Sequence, residues 1–445
     1  MVKADAGHRT LLLGGRIIAP GEDQQFIAEG FIEVTDGIIT AVGPGDPPAA
    51  EVNDLVDLSG LTILPGMINA HTHLYSALAL GMPPPEQPPA SFQEILERVW
   101  WRLDRALDAE STRSSFEVGL IDSLRAGVTT VIDHHSSPSF VGGSLDQLAA
   151  VAGGLGLNVA LAFEATDRNG EEAFEAALEE NLAARRKFAA DPYVQPLLGL
   201  HASFTLSDRS LKRVRAVLDQ EPGWGLHIHL AEDRADQSDA EEQGYPSVVQ
   251  RLDHFGLINE HSLLAHGLYL QPGDLDVLEQ GRAMLVHNPT SNANNSVGLL
   301  AAETIERLRS GLGTDGMQAN MLAEAKEGAL IRSSHQAGGE TAVDYLGLLF
   351  NHNAELATRL FGRPLGRISP GYQADLAIYD YHPRTAITAD NFGGHLLFGL
   401  DRPREVMVRG RFRLYDGELV DTKESEIRQR AREQSLLLWQ RMNDL

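Results

Sequence analysis

Two histidines one residue apart, His71 and His73, end an apolar run and are the first residues whose types and spacing suggest chemistry. In a β-strand, residues i and i+2 point to the same face, so both imidazoles can be aimed at one point. Two converging imidazoles suit a divalent metal ion. Because a histidine pair alone is weak evidence, the prediction of a metal site depends on further ligands at the ends of other strands.

Later apolar runs end in side chains of the required types: His229, followed three residues on by Glu232, then His266 and Asp315. Each has an ordinary interpretation by itself, such as a core histidine or the aspartate of an Asp-Gly turn. His227 shares the strand parity of His229 and could compete for its inward role. Three of the histidines and one aspartate together offer three nitrogens and one oxygen, a set typical of catalytic zinc that leaves room for water. The predicted metal ligands are His71, His73, His229 and Asp315.

The bulk composition limits the partner. The 445 residues carry 37 Lys+Arg and 62 Asp+Glu, a formal net charge of -25, which would repel nucleic-acid phosphates and anionic membranes. The absence of cysteine excludes disulfides, thiolate nucleophiles and cysteine-ligated zinc, including the cytidine-deaminase type of site. Since the sequence has no signal-peptide pattern and no stretch apolar enough to span a bilayer, we expect a cytoplasmic protein that binds a small molecule.

Strands alternating with helices must position these side chains. From residue 64 to about 361, short apolar strands are separated by longer helical segments, a pattern typical of βα units and a parallel sheet. This predicts an α/β fold, a (β/α)8 TIM barrel over residues 64–362, with its active site at the carboxyl ends of the strands. The eight candidate strands are one ending at His73 and those at 129–133, 157–163, 195–201, 225–230, 262–266, 283–287 and 311–315.

Both ends of the chain have a different pattern. Short apolar runs broken by Gly and Pro occupy residues 11–42 and return after residue 362, which indicates strands and tight turns. Because domain termini often lie close together, we expect both ends to pair into one small β-sandwich domain. Its predicted limits are 1–63 plus 363–445, including a C-terminal helix from about 424 to 442.

The ordered motifs resemble the amidohydrolase superfamily, in its aminohydrolase and chlorohydrolase branch. The resemblance covers essentially the whole chain. Segments 94–101 and 164–170 look most like aminohydrolases associated with selenium-dependent purine metabolism. The motifs are Pro-Gly-Met-Ile-Asn-Ala-His-Thr-His at 65–73, His-Leu-Ala-Glu at 229–232, Ala-His-Gly at 265–267, His-Asn-Pro-Thr-Ser-Asn at 287–292 and Gly-Thr-Asp-Gly at 313–316.

This resemblance implies the barrel, the small β-sandwich and a metal-dependent hydrolase. It also implies one divalent ion per chain, because residues 189–211 contain no lysine that could bridge two metals. Zinc is favoured, and iron or manganese fit the same ligands. The favoured reaction is that of an aminohydrolase, or deaminase: hydroxide formed at the metal replaces an exocyclic amine of a purine, pterin or related N-heterocycle by a carbonyl.

Three residues are predicted to be catalytic. Asp315 would accept the proton of the nucleophile and deliver it to the leaving amine, while Glu232 would protonate a ring nitrogen. His266 would hold the nucleophile or the developing oxygen by a hydrogen bond. The predicted substrate-binding residues are His201, which resembles a substrate contact of related nucleoside deaminases, Trp100 or Trp101, which could stack on a planar ring, and His287 with Asn288.

Several alternatives stay open on the sequence alone. His201 could merely cap its strand, and the two tryptophans could belong to the core. Leu80-Gly81 replaces the Arg-Gly of several purine and nucleoside deaminases, which weakens a simple purine assignment. A chlorohydrolase or cyclic amidohydrolase would use the same nucleophile, and a non-catalytic scaffold with a decayed site is a lesser alternative. The expected partner is a small heterocycle, without nucleic acid or membrane, and the chain could form a homodimer.

Overall fold

The first strands form a sheet at the amino-terminal end of the chain. The computed structural model describes residues 7–21, 25–47, 51–335 and 343–445. Asp36 and Gly37 both have positive φ and join β2 to β3 in a tight two-residue hairpin, the turn for which Asp-Gly is favoured. These strands are β1 Arg9–Ala19, β2 Gln25–Thr35, β3 Ile38–Pro44, β4 Asp54–Asp57 and β5 Thr62–Pro65.

The next nine strands close into the barrel. Each strand is parallel to its neighbours. Strands β9 and β10 are separated only by Leu197 and together form one of the eight strands of the barrel. The bridges Ala165–Leu200 and Thr72–Asp315 join the edges of the two ladders, so the predicted (β/α)8 TIM barrel is confirmed. The strands are β6 Met67–Thr72, β7 Val128–Asp133, β8 Asn158–Leu161, β9 Val194–Pro196, β10 Leu198–Ala202, β11 Leu226–Leu230, β12 Leu263–His266, β13 Met284–His287 and β14 Gly311–Leu312.

Helices cover the outside of the barrel. In α6, which begins after the capping residue Ser207, the buried Leu211, Val214 and Leu218 share one face, the spacing expected of an amphipathic helix. None of the helices in the described ranges is long and apolar enough to cross a membrane. The helices up to the end of the barrel are α1 Phe92–Ile95, α2 Trp101–Ala106, α3 Ala109–Arg125, α4 Ser144–Leu155, α5 Glu171–Lys187, α6 Asp208–Gln220, α7 Arg234–Glu242, α8 Val248–His254, α9 Asp274–Gly281, α10 Pro289–Asn294, α11 Ala302–Leu308, α12 Met321–His335, α13 Tyr345–Gly347 and α14 Asn353–Phe361.

The end of the chain returns to the first sheet. Strand β15 pairs antiparallel with β5, giving nine strands in the order β18-β17-β16-β15-β5-β1-β2-β3, with β4 on β1. This unit has its own apolar core, which includes Leu12, Ile32 and Leu376. Both termini therefore build one β unit as expected, while the domain limits stay a prediction. The added elements are β15 Leu376–Tyr379, α15 Phe392–Gly399, β16 Glu405–Val408, β17 Arg411–Tyr415, β18 Glu418–Leu419 and α16 Glu424–Asp444.

The C-terminal helix α16 packs on the barrel. Its Leu438 and Met442 are buried in one cluster with Leu103 of α2 and Val118 of α3. Arg441 donates from Nε to the carbonyl of Ala106 at 2.7 Å. The helix that was assigned from the sequence to the β unit thus supports barrel helices α2 and α3.

Side chains tie the short last strand β14 to the first strand β6. Asn353 donates to the carbonyls of Ile68 and Leu312, both at 2.8 Å, and accepts from the Leu312 N–H at 2.7 Å. Gly311 leaves room for this amide, since a Cβ there would lie 2.7 Å from Asn353 Oδ1. Asn69 adds two hydrogen bonds to Thr314, at 2.7 and 3.1 Å. These contacts hold the segment leading to Asp315 against the strand that carries the histidine pair.

We expect Asn353→Leu, which keeps the branching of the side chain at Cγ but removes its hydrogen-bonding groups, to lower the free energy of unfolding by about 3 kcal/mol or more, roughly 1 kcal/mol for each lost hydrogen bond. The reason is that three buried backbone groups lose their partner. Denaturant unfolding followed by circular dichroism measures the change. The same substitution at the exposed Asn443 is the control, and equal stability of the two variants would contradict the role given to Asn353.

Candidate active site

Four side chains converge where the barrel strands end. His73 Nε2 lies 3.1 Å from His229 Nε2 and 2.9 Å from Asp315 Oδ1, and His71 Nε2 lies 3.5 Å from the same oxygen. Tetrahedral zinc with Zn–N bonds of 2.0–2.1 Å would place its ligand atoms about 3.3 Å apart. The four predicted metal ligands are therefore brought together at a spacing that fits one divalent ion.

Backbone carbonyls set the tautomers of two of these histidines. His73 Nδ1 lies 2.7 Å from the carbonyl oxygen of His134, and His229 Nδ1 lies 2.9 Å from that of His201. A carbonyl can only accept, so each Nδ1 carries the proton and each Nε2 presents its lone pair to the site. Burial lowers the pKa of His229 well below its usual range, which keeps this imidazole neutral and able to bind a metal.

His71 has the same arrangement with another histidine behind it. Its Nδ1 lies 2.9 Å from His227 Nε2, and its Nε2 is buried without a hydrogen-bond partner. A buried polar nitrogen normally has a partner, so an unpaired nitrogen beside the Asp315 carboxylate indicates a site for a cation. His227 therefore supports His71 from behind and does not take the inward position that His229 occupies.

Asp315 is held at both carboxylate oxygens. Oδ1 faces His71 and His73, while Oδ2 accepts a hydrogen bond from Ser291 Oγ at 2.5 Å. Burial acts to raise the pKa of Asp315, but the neighbouring rings of His71 and His73 lower it well below its usual range. Ser291 was not recognised from the sequence, because a serine in the first turn of a short helix carries no signal of this role.

Glu232 and His266 form the other side of the reaction centre. His266 Nε2 lies 3.5 Å from Glu232 Oε2. The Asn292 amide, oriented as a donor, lies 2.8 Å from His266 Nδ1, so the proton of this imidazole is on Nε2. Burial lowers the pKa of His266 to about 3, so it is a neutral donor. Burial and the charge of Asp315 raise the pKa of Glu232 well above its usual range, which favours the protonated acid.

Three predicted substrate-binding residues line the cavity in front of this centre: His201, Trp100 and Trp101. A π-helical turn, Leu96–Trp100, joins α1 to α2. The extra residue in such a turn changes the helical phase, so two successive tryptophans reach the same cavity. His201 Nδ1 also lies 2.9 Å from Thr205 Oγ1, so this residue both lines the cavity and makes a local structural contact.

His287 and Asn288 do not reach the cavity, and the prediction that they contact substrate needs correction. Met284 and Val286 point into the barrel, so strand alternation turns His287 outward, where its Nε2 lies 3.4 Å from Tyr345 Oη. Asn288 is fully buried behind the site, with Nδ2 3.5 Å from His266 Nδ1.

Sequence reasoning missed three charged residues of the cavity wall, Asp104, Glu164 and Arg168. Arg168 Nη2 lies 3.1 Å from Asp104 Oδ2 and also contacts Glu164 Oε1. The segment 164–170 was noted only for its resemblance. The position of Glu164 could have predicted its role. It follows strand β8 by three residues, so it lies on the face of the barrel where the other strands end.

The sequence model of the amidohydrolase family matches residues 62–411, most of the chain. The chain belongs to the amidohydrolase family. Metal dependence is a property of this family, and the convergent histidines and aspartate fit a divalent ion on the observations above. The family match and the site agree with the aminohydrolase and chlorohydrolase branch.

Individual relatives match almost end to end. A 5-methylthioadenosine/S-adenosylhomocysteine deaminase of Haloarcula marismortui is 26% identical over 446 residues, covering 98% of this chain and 99% of the relative. Among solved structures, a zinc-bound adenosine deaminase from Xanthomonas campestris has a TM-score of 0.84 at 21% identity, covering 99% and 100% of the two chains. Atrazine chlorohydrolase from Arthrobacter aurescens has a TM-score of 0.79 at 19% identity, covering 96% and 100%. The two structural likenesses support the fold.

We expect His73→Ala to lower bound metal from about one ion per chain to a small fraction, because a four-donor site loses a nitrogen. His201→Gln is the control, since His201 Nδ1 bonds Thr205 and the imidazole lies outside the predicted ligand set. Elemental analysis of dialysed protein gives the metal content. Glu164, His201 and His229 form another group spaced for an ion, so loss of metal in His201→Gln with retention in His73→Ala would contradict the assignment.

Proposed function

We propose that this protein is a metal-dependent aminohydrolase that replaces an exocyclic amine of a purine-type N-heterocycle by a carbonyl and releases ammonia. The observation that carries the proposal is the placement of two carboxyl groups around His266: Asp315 Oδ1 faces the histidine nitrogens, and Glu232 Oε2 lies 3.5 Å from His266 Nε2. The neighbouring histidines lower the pKa of Asp315, while burial and the charge of Asp315 raise the pKa of Glu232. Two titratable groups whose pKa values are pushed apart are suited to act as base and acid. The names of the relatives support the same class.

Each group has a defined task in this reaction. When bound to the His71, His73, His229 and Asp315 set, a divalent ion acidifies water and makes it a nucleophile at neutral pH. Asp315 accepts a proton from the attacking water and delivers it to the departing amine, and Ser291 fixes the orientation of its carboxylate. Glu232 gives its proton to the ring nitrogen beside the attacked carbon, and it takes one back from the new hydroxyl group when that oxygen becomes the carbonyl and the amine leaves as ammonia. His266 donates from Nε2 to the oxygen that becomes the carbonyl.

We propose zinc as the ion, because imidazole and carboxylate donors at this spacing suit it and the solved neighbour from Xanthomonas campestris contains zinc. Iron or manganese would use the same donors. Hydrolysis of chloride or of a cyclic amide would need the same nucleophile, but a protonated Glu232 beside the site is most useful where a ring nitrogen must be protonated. In a non-catalytic scaffold with a decayed metal site, we would not expect the four predicted ligand atoms to converge as they do. A homodimer and a cytoplasmic location stay predictions.

Ammonia release by the metal-loaded protein should occur with one class among aminated purines, oxidised purines, pterins, pyrimidines and triazines. Glu232→Gln should lower kcat by about 10²–10⁴-fold while the metal stays bound, because one acid–base step is lost. Glu242→Gln, on the exposed end of α7, is the matched control. Release of chloride or opening of a cyclic amide, without ammonia from any ring, would contradict the proposed reaction.

A further inference from the structure

The cavity contains a charged corner that the proposed reaction does not use: Asp104, Glu164 and Arg168, with Trp101 beside them. The Arg168 side chain is only 7% exposed, and one of its nitrogens, Nη2, contacts both carboxylates. Its other two nitrogens, Nε and Nη1, have no hydrogen-bond partner in the described part of the chain. The same holds for Asp104 Oδ1 and Trp101 Nε1. Two donors of Arg168, one donor of Trp101 and one acceptor of Asp104 are thus buried without partners among the described residues, in side chains that line the reaction cavity.

A purely structural ion pair would not be built in this way. Buried charges are stable only when their remaining donors and acceptors are satisfied, and a buried polar atom without a partner in the protein normally bonds a water molecule or a ligand. All three charged residues line the reaction cavity, where a bound molecule can supply the missing hydrogen bonds. The guanidinium carbon lies 4.7 Å from the centre of the Trp101 ring, a cation–π contact that fixes its plane.

The corner lies next to the reaction centre. A carboxylate oxygen of Glu164 lies within 4.8 Å of a ring nitrogen of both His201 and the predicted ligand His229. Glu164 is therefore near enough to the predicted ligands to contact the heterocycle itself.

The chemistry of the corner favours a cyclic amide. Guanidinium donors are best matched by an electron-rich oxygen such as a ring carbonyl, and carboxylates by a ring N–H. A lactam unit, with N–H beside C=O, offers both within one flat ring. The ring of a 9-substituted adenine has neither a carbonyl nor an N–H, so it would leave the Arg168 donors and the carboxylate acceptors unpaired.

We propose that Asp104, Glu164 and Arg168 form a lactam-binding subsite, so that the substrate is an amino-oxo heterocycle of the purine or pterin type and not a ribosylated adenine. This inference rests on the proposed deaminase function and narrows its substrate class. Arg168 donates to the ring carbonyl, and the carboxylates accept from ring N–H groups. The subsite thereby sets which exocyclic amine faces Glu232 and Asp315.

The test compares each oxo substrate with its analogue that lacks the carbonyl, for example guanine with 2-aminopurine, and includes adenosine and 5'-methylthioadenosine. The metal-loaded full chain should favour the oxo member of a pair by at least about 10²-fold in kcat/KM, since a site built to hydrogen-bond a group rejects the analogue without it. Arg168→Met should reduce this ratio to near one, mainly through KM of the oxo substrate. The exposed Arg209→Met is the control and should leave the ratio unchanged.

The ratio separates recognition from folding. A merely structural Arg168 would lower turnover of both members equally and leave their ratio intact. Arg168→Met could unfold the cavity wall, so the same kcat/KM ratio is also measured for Glu164→Gln. This variant keeps the shape of the side chain and removes the charge of an acceptor. Turnover confined to ribosylated adenines, or a preference for the oxo member that both variants leave unchanged, would overturn the subsite and keep the deaminase. No ammonia from any ring in the metal-loaded wild type would overturn the proposed function, and the subsite with it.

Discussion

The contact of Asp315 with the histidine pair is the constraint on which the rest of the site depends. The histidines end the first strand of the barrel and the aspartate follows the last, so these groups meet only when the sheet closes on itself. The closing strand is two residues long, and buried amides of Asn69 and Asn353 replace much of the ladder it lacks. Closing the barrel and assembling the predicted metal site are therefore the same structural event.

The electrostatics follow from this closure. Three buried imidazoles, those of His71, His229 and His266, lie beside the Asp315 carboxylate, and burial lowers their pKa values and keeps these rings neutral. The negative charge of Asp315 is the reason why the neighbouring Glu232 holds its proton more tightly. One carboxylate thus serves the cation site and also prepares the acid on the opposite side of the substrate.

Much of this arrangement could be predicted from the sequence. Histidines at i and i+2, and polar residues ending parallel strands, indicate one face and one edge of a barrel, so the ligand set could be predicted before its distances were known. Where the rule of alternation was not applied, as at His287, the expectation failed. Asp104 lies on a helix, so no strand pattern could place it beside Arg168. The predicted domain limits include helix α16 with the β unit because it follows the last strands in sequence, and sequence order does not show that it packs on α2 and α3.

The packing of α16 has a consequence for how the chamber is completed during synthesis. Arg441 and Leu438 hold helix α2, whose first turn carries Trp101 and Asp104. The barrel strands and their histidines are translated long before this support emerges from the ribosome. The wall that carries Trp101 and Asp104 is therefore supported by a segment that is translated after all the barrel strands.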